Sequence, residues 1–140
     1  MKNIAILGAT GSVGTQALDV ARSRGYRVDL ISANKNVDSM EDFVREFKPS
    51  YAVMANESAA NELKTRLKDT DTKVLFGDLG LEEAINLSSA ETVVNSIIGE
   101  AGLMPTLAVL NAGRRLALAN KESLVISGEI VMNLAKERCV

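Results

Sequence analysis

Short apolar runs and amphipathic stretches alternate along this chain. Asn3 to Leu7 is an apolar run that predicts a strand, and Gly8, Gly11 and Gly14 follow it at once. Helical spacing then takes over, with Val13, Ala17, Val20 and Ala21 on one expected face and Leu18 alongside. Arg22 and Arg24 fall in the expected last turn and Gly25 ends it, where basic residues and a C-cap glycine are favoured. Val28, Leu30 and Ile31 predict a second strand over 27–33. Asp38 or Ser39 is placed to cap a helix that reaches about Phe47 and stops before Pro49. A strand over 51–54 and a helix over 57–67, with Ala60, Leu63 and Leu67 on one face, come next. Strand 73–76, helix 79–87 and the β-branched strand 92–98 continue the alternation. Gly99 and Gly102 bracket a turn, and Pro105 suits the first turn of a helix running to about Ala112. A strand over 114–119, a long helix over 121–138 and the start of another strand at Cys139 complete the pattern.

Strands alternating with helices predict a parallel sheet covered on both faces. Right-handed crossovers make a Rossmann-like, doubly wound α/β fold the expected architecture. The 140 residues suit one domain, expected to run over 1–140, and no repeat, low-complexity tract or linker interrupts them. Aromatic residues are 4% of the chain and Trp is absent, so the core is aliphatic. The net charge of -2 offers no footprint for nucleic acid, and no apolar run is long enough to span a membrane. The apolar stretch 4–7 is too short for a signal-peptide core, and one cysteine, Cys139, allows no internal disulfide; both suit a cytoplasmic setting. Histidine is absent, which removes it as base, metal ligand or member of a nucleophilic triad.

The segment Gly8-Ala9-Thr10-Gly11-Ser12-Val13-Gly14 joins the first strand to the first helix. Gly8 permits a tight turn, Gly11 lets the main chain approach a bulky ligand, and Gly14 allows close helix packing. The N–H groups of the first helical turn then face an anion, and Thr10 and Ser12 add hydroxyl donors. A ligand-free turn accounts for the same glycines, and the G-x-x-G-x-x-G spacing is not that of a P-loop. NAD-specific sites usually place a carboxylate at the end of the second strand. Here that strand ends Ser32-Ala33-Asn34-Lys35-Asn36, with Asp29 well inside it. Lys35 can pair with a 2′-phosphate, and Ser32, Asn34 and Asn36 can donate hydrogen bonds, so NADP is favoured.

Two more strand-to-helix junctions carry unusual residues. Gly99 to Leu107 should open on the same sheet edge as the glycine turn. Asn120, Lys121, Glu122 and Ser123 stand together at the next junction, where they would face the ligand crevice. Taken in order, Gly8-Ala-Thr-Gly-Ser-Val-Gly14, Gly102-Leu-Met-Pro-Thr-Leu107 and Leu118-Ala-Asn-Lys-Glu-Ser-Leu-Val125 resemble the N-terminal domain of the 1-deoxy-D-xylulose 5-phosphate reductoisomerase family. Asn34-Lys35-Asn36 resembles that family's second-strand loop, where the family often has glycine in place of Asn34.

The resemblance implies an NADPH-dependent enzyme of the non-mevalonate isoprenoid pathway. Such enzymes rearrange a small phosphorylated ketose and reduce the resulting aldehyde to 2-C-methyl-D-erythritol 4-phosphate, with Mg or Mn. It implies that Gly8, Thr10, Gly11, Ser12 and Val13 meet the cofactor around its pyrophosphate. It further implies Asn34, Lys35 and Asn36 at the adenosine end, Asn120 and Glu122 nearer the nicotinamide, and Lys121 against substrate. The family's acidic metal-binding run would follow the strand beginning near Cys139, so the chain reads as a cofactor-binding fragment with no metal site, inactive alone, of a parent expected to be a homodimer. Two alternatives stand beside it: a free-standing NADP(H)-binding module without catalysis, and the cofactor domain of a semialdehyde-dehydrogenase-like reductase.

Overall fold

In the computed structural model, residues 2–97 and 99–118 are described. Strands β1 (Asn3–Leu7), β2 (Arg27–Ala33), β3 (Tyr51–Met54), β4 (Lys73–Phe76), β5 (Thr92–Asn95) and β6 (Arg115–Leu118) form one sheet in the order β4-β3-β2-β1-β5-β6. Every neighbouring pair is parallel. The chain runs outward from β1 to β4 on one side, then crosses back to β5 on the other side of β1. That reversal places a switch point at the carboxyl end of β1, the usual crevice for ligands in open α/β sheets.

Helices α1 (Ser12–Arg24), α2 (Val37–Phe47) and α3 (Glu57–Arg66) cover one face, over a core that includes Ile4, Ile6, Leu18, Ile31, Met40, Met54 and Leu63. Helices α4 (Gly77–Leu87) and α5 (Leu103–Asn111) cover the other, over Ala5, Leu7, Leu30, Val53, Ile85, Val93 and Val109. Along β1, Ile4 and Ile6 serve the first layer and Ala5 and Leu7 the second, as the two-residue period of a strand requires. In β2 a register shift opposite Ile4 and Ala5 leaves both Val28 and Ile31 in the first layer and Leu30 in the second. Both central strands are buried along nearly their whole length because both faces are covered. Outside the helices, Arg22 of α1 pairs with Glu46 of α2, and Arg66 of α3 pairs with Asp38 of α2. These exposed pairs add little stability and mainly order the helix surfaces.

The α/β alternation predicted from sequence is observed through β6, with several local differences. The buried stripe of α1 is Gly14, Leu18 and Ala21, whereas Val13 and Val20 stand 45% and 50% exposed. The cap of α2 is neither Asp38 nor Ser39; the Asn36 side-chain oxygen Oδ1 accepts from the Ser39 amide at 3.1 Å. Strand β5 ends at Asn95, short of the expected Ile98, because the Asn95 side chain turns to bind the next loop. Gly25 closes α1 in the left-handed conformation, as expected. The predicted helix over 121–138 and strand at Cys139 lie outside the described residues.

Candidate cofactor-binding site

The carboxyl edge of the sheet opens into a groove of about 410 Å³ beside the glycine turn. Gly8, at the end of β1, has φ +78°, a conformation that glycine adopts without strain. Gly11 sits at the N-cap of α1 and bonds its amide back to the Gly8 carbonyl at 3.2 Å. A Cβ at position 14 would lie 2.0 Å from that same carbonyl and 2.8 Å from the Ala9 Cα. Gly14 therefore lets the helix rest on the turn itself. At Gly11 a Cβ would meet only the Gly8 oxygen, at 3.5 Å, so the space above it is open toward the groove.

Thr15 makes the first backbone bond of α1, to the Gly11 carbonyl at 2.9 Å. The amides of Thr10, Ser12, Val13 and Gly14 find no partner among the described residues. Such first-turn N–H groups carry the positive end of the helix dipole. Helices α2, α3 and α4 place Asp38, Glu57 and Asp78 in their first turns, but α1 has no acid there. Its positive end is left for an external anion.

The remaining walls come from both halves of the sheet. Ser32, Ala33 and Asn34 end β2, and Val53 and Ala55 end β3. On the far side stand Leu81 of α4, Ser96 and Ile97 after β5, and Ala101 and Pro105 of the second turn. That turn therefore opens on the same edge as the first. Asn95 fixes it: its buried side-chain amide donates to the Gly102 carbonyl at 2.9 Å and to the Thr106 hydroxyl at 2.8 Å. An apolar slot with polar ends suits a nucleotide, whose flat base wants apolar contact and whose phosphates want amides.

Among the residues singled out from sequence, Gly8, Thr10, Gly11 and Asn34 line the groove together. Ser12 and Val13 stand exposed on the first turn of α1, beside it. Lys35 and Asn36 are exposed in the loop after β2, next to Asn34. Asn36 spends its side-chain oxygen on capping α2, which leaves its NH₂ available. No carboxylate ends β2; Asp29 is fully buried further back in the strand. Asn120, Lys121 and Glu122 lie outside the described residues. Ser96 and Asn95 escaped the sequence reading, and the available signal was two small polar residues following the β-branched run of β5.

The family model for 1-deoxy-D-xylulose 5-phosphate reductoisomerase matches residues 4–128. The chain belongs to this family. The reductoisomerase of Lachnospira eligens is 46% identical over 138 residues, covering 98% of this chain and 36% of that protein. The solved Zymomonas mobilis reductoisomerase in complex with NADPH matches with a TM-score of 0.91 at 36% identity, over 98% of this chain and 36% of that one. A reductoisomerase solved with NADPH, fosmidomycin and magnesium matches with a TM-score of 0.92 at 38% identity, over 99% of this chain and 35% of that one. The chain thus spans about a third of the length of the reductoisomerases it matches.

This reductoisomerase-family chain shows no group of three His, Cys, Asp or Glu side chains placed to hold a metal among its described residues. Nor is any helix among them long and apolar enough to cross a membrane. The most displaced carboxyl, Asp29, lies away from the groove. Burial alone would push it up, but bonds from the Ser88 and Ser50 hydroxyls, the Ser89 amide and Arg27 outweigh burial and hold it down at about 2.

Proposed function

We propose that residues 1–140 are the NADP-binding domain of a 1-deoxy-D-xylulose 5-phosphate reductoisomerase. The whole enzyme would convert 1-deoxy-D-xylulose 5-phosphate to 2-C-methyl-D-erythritol 4-phosphate in the cytoplasm, as a homodimer. The observation that carries this reading is the acid-free start of α1, whose unpartnered amides border an open groove beside Gly11. The family match and the NADPH named in two matching structures support it.

In this reading Thr10, Ser12 and Val13 bind the pyrophosphate through main-chain amides and hydroxyls, and Gly11, whose amide is bonded to Gly8, gives it room to approach. Gly8 contributes closeness of approach, since its own amide is already committed to Ser32. The slot between Ala33, Val53 and Leu81 takes the adenine. Asn34, Lys35 and Asn36 surround the 2′-phosphate, with Lys35 supplying the charge. Asn120 and Glu122 are assigned to the nicotinamide side and Lys121 to the substrate, on the strength of the family motif alone. Bound NADPH would supply the hydride. Magnesium or manganese, which the family resemblance implies, is assigned outside the described residues, among which no three His, Cys, Asp or Glu side chains come together to hold a metal.

Calorimetric titration with NADPH and NADH tests the cofactor assignment. NADPH should bind more tightly, and Lys35→Ala should weaken NADPH by about tenfold, the loss of one charge-assisted bond, while leaving NADH unchanged. Equal affinity of the unsubstituted chain for both nucleotides would sink the NADP assignment.

A further inference from the structure

The glycine turn is held from both sides by serines. On the β2 side, the Gly8 amide donates to the Ser32 hydroxyl at 3.2 Å and the Ala9 amide to the Ser32 carbonyl at 2.7 Å. On the β5 side, the Ser96 hydroxyl donates to the Leu7 carbonyl at 2.6 Å and lies 3.2 Å from the Gly8 carbonyl. The Gly8 carbonyl also accepts the Gly11 amide at 3.2 Å, and Gly14 packs directly against it. Two consecutive peptide groups, Leu7–Gly8 and Gly8–Ala9, therefore gather the bonds that shape the turn. Their orientation decides where the amides from Thr10 onward point.

We propose that Ser96 is a positioning residue for dinucleotide binding, bridging the Leu7 and Gly8 carbonyls so that the free amides of Thr10, Ser12, Val13 and Gly14 face the phosphates before any ligand arrives. The proposal rests on the reading of the groove as an NADPH site. Two features separate this role from general support of the fold. The Leu7 carbonyl also accepts the Ser96 main-chain amide at 3.0 Å, so the β1–β5 pairing survives loss of the hydroxyl. Ser96 is also half-buried at the groove wall, so its truncation opens no core cavity. The hydroxyl adds a side-chain fastening on the β5 side, strong at the Leu7 carbonyl and weaker at the Gly8 carbonyl. Without it the turn keeps the Gly8 and Ala9 amides on Ser32, the Gly11 amide on Gly8 and the Ser96 amide on Leu7, and its β5 side is fixed less tightly. Ordering it again on binding then subtracts from affinity.

The test is Ser96→Ala in the full chain, titrated with two probes. NADPH spans the turn; adenosine 2′-monophosphate occupies the adenosine end and carries no pyrophosphate. The variant should bind NADPH about tenfold more weakly, the worth of one hydrogen bond, and adenosine 2′-monophosphate as tightly as before, with a cooperative melt and a Tm lowered by only a few degrees. NADPH affinity equal to that of the unsubstituted chain overturns the proposal. Equal weakening toward both probes also overturns it, because a general loosening of the groove predicts that result. Failure of the unsubstituted chain to bind NADPH overturns the site reading itself, and this inference with it.

Discussion

Gly11 and Gly14 stand three residues apart in one turn, yet the two positions constrain different things. At Gly14 the obstacle to a side chain is backbone, the Gly8 carbonyl and the Ala9 Cα, and neither can move without the turn. Gly14→Ala should therefore destabilise the protein by roughly 1–3 kcal/mol, the usual cost of forced overpacking. At Gly11 a methyl group meets one atom at ordinary contact distance, and φ is -80°, so the chain accepts it. In the proposed site the same methyl projects where the pyrophosphate would approach. Gly11→Ala should fold with a denaturation midpoint near that of the unsubstituted protein and bind NADPH at least about tenfold more weakly, the effect of a methyl in a close contact. Urea melts and titrations of the pair check both halves. A Gly11→Ala protein with full affinity would remove the turn from the binding site.

At the scale of elements, most boundaries could be read from sequence because apolar runs and turn residues agreed. The α1 face shows where that agreement runs out. The expected face, Val13, Ala17, Val20 and Ala21 with Leu18 alongside, meets the buried stripe of positions 14, 18 and 21 at Leu18 and Ala21 and departs from it at the two exposed valines. Hydrophobicity favours the stripe through 13, 17 and 20, one residue from the buried one. The fold selects the latter, because Gly14 must lie against the turn and brings Leu18 and Ala21 inward with it. The groove followed the same logic: its glycines and the Asn34 loop were legible, whereas Ser96 and Asn95 depend on which strands become neighbours. Asn95 shows what such a residue contributes. Fully buried, it joins the end of β5 to Gly102 and Thr106 at the start of α5 and accepts the Ile97 amide. Asn95→Ala should cost about 1–3 kcal/mol in urea unfolding, the price of leaving buried polar partners short. It should also weaken NADPH binding, since Ile97, Ala101 and Pro105 line the groove.

Across the whole molecule, the two ends of the sheet divide binding from fastening. The carboxyl edge holds glycines, free amides and the open groove. Toward the amino edge, Asp29 in the central strand β2 draws together Ser50 before β3 and Ser88 and Ser89 ahead of β5. It thereby ties both flanks of the sheet at a point the groove does not reach. Its carboxyl is held at about 2 in the fold, against an ordinary 3.8. A depressed carboxyl stabilises the fold at pH values above its unfolded pKa, and that stabilisation is lost as pH falls through the folded one. The difference corresponds to about 2 kcal/mol at neutral pH. Asp29→Asn should lose about that much at pH 7, and the gap to the unsubstituted protein should narrow steadily between pH 4 and pH 2. Because Asp29 touches nothing in the groove, the folded variant should keep its affinity for NADPH at pH 7. Denaturation curves across that pH range, paired with one titration, separate the two ends. A pH-independent gap would mean that packing rather than charge is what Asp29 contributes, and a fall in affinity would mean that the two edges of the sheet are coupled.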